Sequence, residues 1–215
     1  MGLLAGLLPG RVSARGWDDG PAHWHLDYAL EARVGGQALS LSSQLEWHSA
    51  ADGTYRLVNA GRILMIMGFH FESSGRLDST GLLVQRYLER RGRKEWSYEF
   101  NPPGSAHDRL SALRQTAWLM AHDPALRAGA VIRFPVRGQS TTGMWTLRIE
   151  AAERLMLPAG SFETWRLSRE PRETADTQQL EFWLAPQLAW LPVRIRMREA
   201  NGDQFDQRLR ASRQG

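Results

Sequence analysis

The stretch Leu180-Glu-Phe-Trp-Leu-Ala-Pro-Gln-Leu-Ala-Trp-Leu-Pro-Val-Arg-Ile-Arg-Met197 decides the fold class. Leu180, Phe182 and Leu184 alternate with Glu181 and Trp183, and Val193, Ile195 and Met197 alternate with Arg194, Arg196 and Arg198. Period two is the mark of a half-buried strand, with one face apolar and the other solvated. Pro186 and Pro192 stand where strands end or begin, where a missing N–H costs little. The stretch therefore reads as a closing hairpin, apolar inside and lined with arginine outside.

The same period extends in both directions. Towards the amino terminus, Trp24–Arg33 alternates, and Gly35-Gly36 turns it into a second alternating run, Leu39 to Trp47. Asp52-Gly53 is the next turn, and Tyr55, Leu57 and Asn59 continue the pattern. Ile63–Phe71 is apolar with little alternation and is expected to be one strand with a bulge at Gly68. Strand-like runs follow at 82–89, 95–100 and 131–136. Met144–Leu157 and Phe162–Leu167 flank a turn at Leu157-Pro158-Ala159-Gly160, and Asn201-Gly202-Asp203 turns into a last strand at 205–209.

Only one segment changes period. Leu110, Leu113, Ala117 and Met120 recur at helical spacing, Asp108 stands at the N-cap position, and Ser111 three residues on completes a capping pattern. Asp123-Pro124 ends the helix. The expectation is a mainly β chain: a single antiparallel sheet of about eleven strands, curled into a barrel, half-barrel or spiral, with one α-helix over about 108–122 packed on or into it.

The chain has 215 residues, enough for one large β domain, placed at 24–211. Met1–Leu8 is apolar, Pro9-Gly10 breaks it, and Val12-Ser13-Ala14 supplies small residues; residues 1–20 read as a signal-peptide remnant or a disordered terminus. The apolar run is too short to cross a bilayer.

Composition narrows the chemistry. Net charge is +4, and Lys94 is the only lysine among 27 basic residues, which are interleaved with 23 acidic ones. A nucleic-acid module concentrates its charge on one face, so none is expected as a partner. With no cysteine, thiolate chemistry and cysteine-ligated metals are excluded. His23 and His25 share a strand side, but the six histidines form no ligand spacing, and no metal or cofactor is expected. There is no Gly-x-Ser-x-Gly and no phosphate loop, so no catalytic residue is assigned.

What remains is the inside of a curled sheet. Nine tryptophans suit either a filled core or a ligand cavity. The candidate ligand-binding residues are Trp47, Trp145, Phe162, Trp165, Phe182, Trp183 and Trp190; Asp108, Ser111, Pro158, Gly160, Pro186 and Pro192 are read as structural.

Leu157-Pro-Ala-Gly-Ser-Phe-Glu-Thr164, Phe182-Trp-Leu-Ala-Pro186 and Leu191-Pro-Val-Arg-Ile-Arg196, with Asp108-x-x-Ser111 upstream, resemble the bacterial domain-of-unknown-function family 3108. The resemblance runs from about Tyr28 to Leu209. It implies an exported, β-rich periplasmic protein of Gram-negative envelopes and transfers no catalytic residues. The expected function is non-enzymatic binding of a lipid, a lipoprotein acyl chain or an envelope protein. The alternatives are a structural or interaction module with a filled core and a cell-wall-directed hydrolase.

Overall fold

The structure is a computed structural model and describes residues 22–63, 67–171 and 176–214. The expected leader at 1–20 lies outside these residues. Twelve strands form one antiparallel sheet: β1 (His23–Val34), β2 (Gln37–Ser49), β3 (Thr54–Ile63), β4 (Met67–Asp78), β5 (Gly81–Arg91), β6 (Lys94–Glu99), β7 (Val131–Arg137), β8 (Thr142–Leu157), β9 (Gly160–Arg169), β10 (Gln179–Ala185), β11 (Leu191–Arg198) and β12 (Gln204–Gln214). The helix α1 (Arg109–His122) lies between β6 and β7 in the chain.

The strand order is β6-β5-β4-β3-β2-β1-β12-β11-β10-β9-β8-β7. First and last strands are neighbours in the middle, each half is a meander, and β6 and β7 are the two edges. The link from β6 to β7 must therefore cross from one edge to the other, and α1 lies on that link. The sheet curls around it, with helix residues Ala112, Leu113, Ala117 and Met120 packing against Ile132, Leu147, Phe182 and Ile195. Among the described residues, no helix is long and apolar enough to cross a membrane.

No backbone ladder joins β6 to β7. Side chains and the strap before the helix lace this seam instead. Tyr98 Oη donates to the Arg137 carbonyl at 2.9 Å, and Arg137 Nη1 donates to the Glu99 carbonyl at 2.9 Å. The Arg137 guanidinium lies 4.4 Å from the Tyr98 ring centre. In the strap, His107 N–H donates to the Pro135 carbonyl and the His107 carbonyl accepts from Arg137 N–H, covering the β7 edge with one parallel bridge.

The stretch 180–197 forms the hairpin of β10 and β11, joined by a 3-10 turn at Pro186–Leu188 and by Ala189 and Trp190 at positive φ. The register slips between Trp183 and Leu184. Pro192 sits beside that slip, and its carbonyl accepts a 2.5 Å bond from Tyr28 Oη. The run Ile63–Phe71 departs from expectation. It is not one bulged strand but the meeting of β3 and β4, with Ile63 opposite Met67. The apolar run carries no Asn, Asp or Pro between Ile63 and Met67, so the sequence gives no sign that one strand ends and another begins there.

The helix start is the joint between layers. Asp108 Oδ1 accepts from Leu110 N–H and Ser111 N–H, both at 2.8 Å, and Ser111 Oγ accepts from Asp108 N–H at 2.9 Å. Asp108 Oδ2 accepts from Ser73 Oγ of β4 at 2.6 Å, and Ser73 Oγ is 3.2 Å from Tyr55 Oη of β3. Asp108 is fully buried; burial pushes its carboxyl pKa up while these bonds pull the other way. Further along α1, Gln115 Oε1 accepts from Leu82 N–H and its amide donates to the Thr80 carbonyl. A Cβ at Gly81 would stand 2.0 Å from that amide, so the helix approaches the β4–β5 turn at a distance only glycine allows.

Asp108→Ala removes the acceptor for two backbone N–H groups and a sheet hydroxyl in a dry site. A stability loss of about 3 kcal/mol is expected in urea titrations, with a smaller loss for Asp108→Asn, which still caps. His107 supplies a pH test. Burial pushes its pKa down to about 4. The unfolded imidazole titrates near 6.5, so acid protonates the unfolded chain first, and stability is lost as pH falls from about 6.5 to about 4. By pH 5 the loss is about 2 kcal/mol, and His107→Gln removes it from the difference between pH 7.5 and pH 5 unfolding curves.

Candidate functional site

Hairpin connectivity gives the curled sheet two unlike ends. The strand ends that join β2–β3, β4–β5, β8–β9 and β10–β11 lie at one end, and those of β1–β2, β3–β4, β5–β6, β7–β8, β9–β10 and β11–β12 at the other. The first end is filled. Trp24, Trp47 and Tyr55 stack there, with ring centres 6.3 Å and 5.3 Å apart, and the Arg114 guanidinium lies 4.9 Å from the Trp47 ring. The Pro158-Ala159 tip leans in, Ala159 N–H donating to the Leu209 carbonyl at 3.1 Å.

The second end is hollow. A cavity of about 360 Å³ opens there, floored by Arg109, Leu110 and Leu113 of α1. Its walls are Leu30 and Val34 of β1, Phe69 and Phe71 of β4, Leu180, Ile195 and Met197 of β10 and β11, Phe205 of β12, and Trp145 of β8. Phe69 reaches its place because its partner across the ladder is Gly61, where a Cβ would stand 2.5 Å from the ring. Polar groups on this wall are few. Asn59 is one, and its Oδ1 is buried without a hydrogen-bond partner.

Above the trough the wall turns polar. A vestibule of about 540 Å³ shares Arg91, Arg109, Trp145, Gln178, Asp203 and Phe205 with the trough, and adds Trp96, the β7–β8 turn residues 138–141, and Glu199–Asn201. Its charges are matched within the protein. Arg91 Nε donates to Glu89 Oε1 at 2.7 Å, and Glu89 is only 3% exposed. Arg109 lies 3.6 Å from Glu199, which also accepts from Gln178 Nε2. Asp203 accepts from Gly35 N–H and Asn201 Nδ2. Gln139 Nε2 donates to Glu89 across the seam at 3.3 Å.

Behind Trp145 sits a buried ion pair. Arg169 forks onto Asp176 at 2.7 and 3.0 Å, donates to the Gln178 carbonyl at 2.5 Å, and carries its guanidinium 5.9 Å from the Trp145 ring. One side chain thus positions both a trough wall and a vestibule residue.

Of the seven candidate ligand residues, Trp145 lines the cavity and the other six lie elsewhere. Trp47 belongs to the stack at the filled end, and Phe182 is fully buried in the cluster around α1. Trp165 and Trp190 pack against that cluster, and Phe162 against the other one. Trp183 is buried in the cluster that holds the Trp24–Trp47 stack, with the Arg194 and Arg196 guanidiniums 4.8 and 5.6 Å from its ring and its indole N–H on Glu153 at 2.7 Å. The residues that sequence reading missed are Phe69, Phe71, Phe205 and the aliphatic Leu30, Leu113 and Ile195. Their alternation was visible, but not their height along the barrel. His23 and His25 do share a face: the His23 ring lies 4.6 Å from that of His48 at a 60° tilt, and His25 pairs with Asp27 and Glu46. Among the described residues, no group of three or more His, Asp or Glu is placed to hold a metal ion.

Comparison with known proteins places this arrangement. Residues 83–210, more than half of the chain, match the sequence profile of the family described as protein of unknown function, DUF3108. No curated protein matches the chain. Among solved structures, a β-barrel-like protein of domain of unknown function DUF1849 from Brucella abortus is similar over 91% of this chain and 99% of its own, with 10% identity and a TM-score of 0.53. A DUF1329 family protein from Desulfovibrio piger covers 94% of this chain and 92% of its own, with 10% identity and a TM-score of 0.39. At such identities the first likeness concerns the fold alone.

Arg169→Met strips the buried Asp176 carboxylate of its bidentate partner. A loss of about 3 kcal/mol or more is expected in denaturant unfolding, with partial recovery in Arg169→Met/Asp176→Leu, where neither charge is buried.

Proposed function

The chain belongs to the DUF3108 family of proteins of unknown function, and we propose that it binds a single-chain amphipathic lipid, non-enzymatically, in the trough between α1 and the curled sheet. The observation that carries this reading is the contrast between the two ends of the barrel. At one end large aromatics fill the interior; at the other, apolar walls enclose about 360 Å³ that opens to solvent through a polar mouth. That volume is at the small end of ligand sites, which span about 300–1,000 Å³, and suits one chain rather than several.

The energetics agree. Each methylene taken from water contributes about 0.8 kcal/mol, so a twelve-carbon chain supplies about 8 kcal/mol before the cost of immobilising it. Net micromolar affinity requires about 8 kcal/mol after that cost, so head-group contacts must offset the immobilisation, a balance fit for a carrier that must also release. The filled-core alternative predicts no such space. We place the protein in the periplasm of a Gram-negative envelope, on the apolar leader-like residues before Pro9 and the family resemblance, and amino-terminal sequencing of the protein from its host tests that placement.

Native mass spectrometry of gently purified protein is expected to show bound lipid, and a fluorescent fatty acid to bind with a micromolar Kd that Ile195→Trp, which fills the trough, raises about tenfold or more. A lipid-free protein that takes up no fatty acid overturns the reading. So does an Ile195→Trp variant that melts like the parent and binds undiminished.

A further inference from the structure

The polar mouth above the trough is larger than the trough itself, and its composition is specific. Two arginines line it, Arg91 and Arg109, and the habitual reading would give them an anionic head group. The geometry excludes that assignment. Arg91 is held by Glu89, whose carboxylate is 3% exposed. An anion that drew Arg91 away would leave a buried carboxylate without its cation, a cost that exceeds what a solvent-facing ion pair returns. Arg109 is opposed by Glu199, and Asp203 adds a further negative charge to the lining. Among the described lining residues, each arginine already has a carboxylate beside it.

The rest of the lining has its own chemistry. Trp96 on β6 and Trp145 on β8 stand on the two sides of the seam, and both line the vestibule. The hydroxyls of Ser140 and Thr141 and the carboxamides of Gln139 and Gln178 complete it. Each carboxamide gives an N–H to a glutamate, to Glu89 and Glu199 respectively, which fixes its orientation. Two indoles beside oriented neutral hydrogen-bonding groups suit a pyranose ring, whose C–H face packs on aromatic surface and whose rim of hydroxyls meets donors and acceptors. Resting on the acyl-chain reading of the trough, the geometry points to a glycolipid as the ligand class, its chain in the trough and its neutral, polyhydroxylated head group in the vestibule between Trp96 and Trp145.

The test compares four probes by isothermal titration below micelle-forming concentrations: n-dodecyl maltoside, dodecanoate, dodecyl phosphate and free maltose. The maltoside is expected to bind about tenfold tighter than either anionic amphiphile, and free maltose to show no measurable binding. Trp96→Ala, on a half-buried edge-strand residue, is expected to weaken the maltoside about tenfold while dodecanoate shifts less than about twofold; Gln178→Ala gives the same split. Dodecanoate or dodecyl phosphate binding as tightly as the maltoside overturns the head-group assignment and leaves the trough reading standing. Maltose binding as tightly as its dodecyl derivative separates the vestibule from the trough and overturns the glycolipid. If none of the three amphiphiles binds, the trough reading itself fails.

Discussion

The buried carboxylate of Asp108 is the constraint on which the rest of the structure depends. The crossover from β6 to β7 must travel from one edge of a twelve-stranded sheet to the other. It could run around either face. Asp108 pins its start to the concave side, because the same carboxylate that caps α1 also accepts from Ser73 in the middle of β4. A buried carboxylate is tolerable only when its lone pairs are filled, and here two backbone N–H groups and two hydroxyls fill them. With the helix start fixed inside, the sheet has to wrap it, and the two edges meet as a result.

Wrapping a helix of 14 residues with strands of unequal length leaves the interior unevenly filled. Bulk is concentrated where the Trp24–Trp47–Tyr55 stack and the Gln115 contact lock the helix to the β4–β5 turn. Around the helix start the sheet offers aliphatic side chains with Phe69, Phe71, Phe205 and Trp145, and these leave the space between them open. A helix terminus carrying Arg109 and the Asp108 cap does not extend further to plug the space. The trough is therefore the volume left beyond the end of the helix, and both arginines at its mouth are held by carboxylates of the protein.

Much of this was legible in the sequence. The hairpin at 180–197 gave its own two faces, with Trp183 beside the arginines, and Asp108-x-x-Ser111 announced the cap. What the period cannot supply is height. Trp47 and Phe71 both point inward from strands of the same meander, but one stands at the filled end and the other at the hollow one. Their separation depends on strand stagger and on where α1 begins, which are properties of the whole sheet. Tryptophan was therefore a poor guide to the cavity: its size makes it the residue that fills an end. Phe69 was hidden for a different reason, since its position depends on a glycine across the ladder, and pairing register is not written in either residue alone.

The seam between β6 and β7 has a consequence for the shape of the whole wall. In a barrel closed by a continuous backbone ladder, strand number and stagger fix the bore, and widening it breaks main-chain hydrogen bonds in sequence. Here the circumference closes through the Tyr98 and Arg137 side chains, the Gln139–Glu89 contact and a single strap bridge. Rotamer changes on the picosecond-to-nanosecond scale can lengthen or shorten those links while every strand pair stays intact. The girth of this protein is thus set by a few side chains where a closed barrel would have a row of main-chain hydrogen bonds.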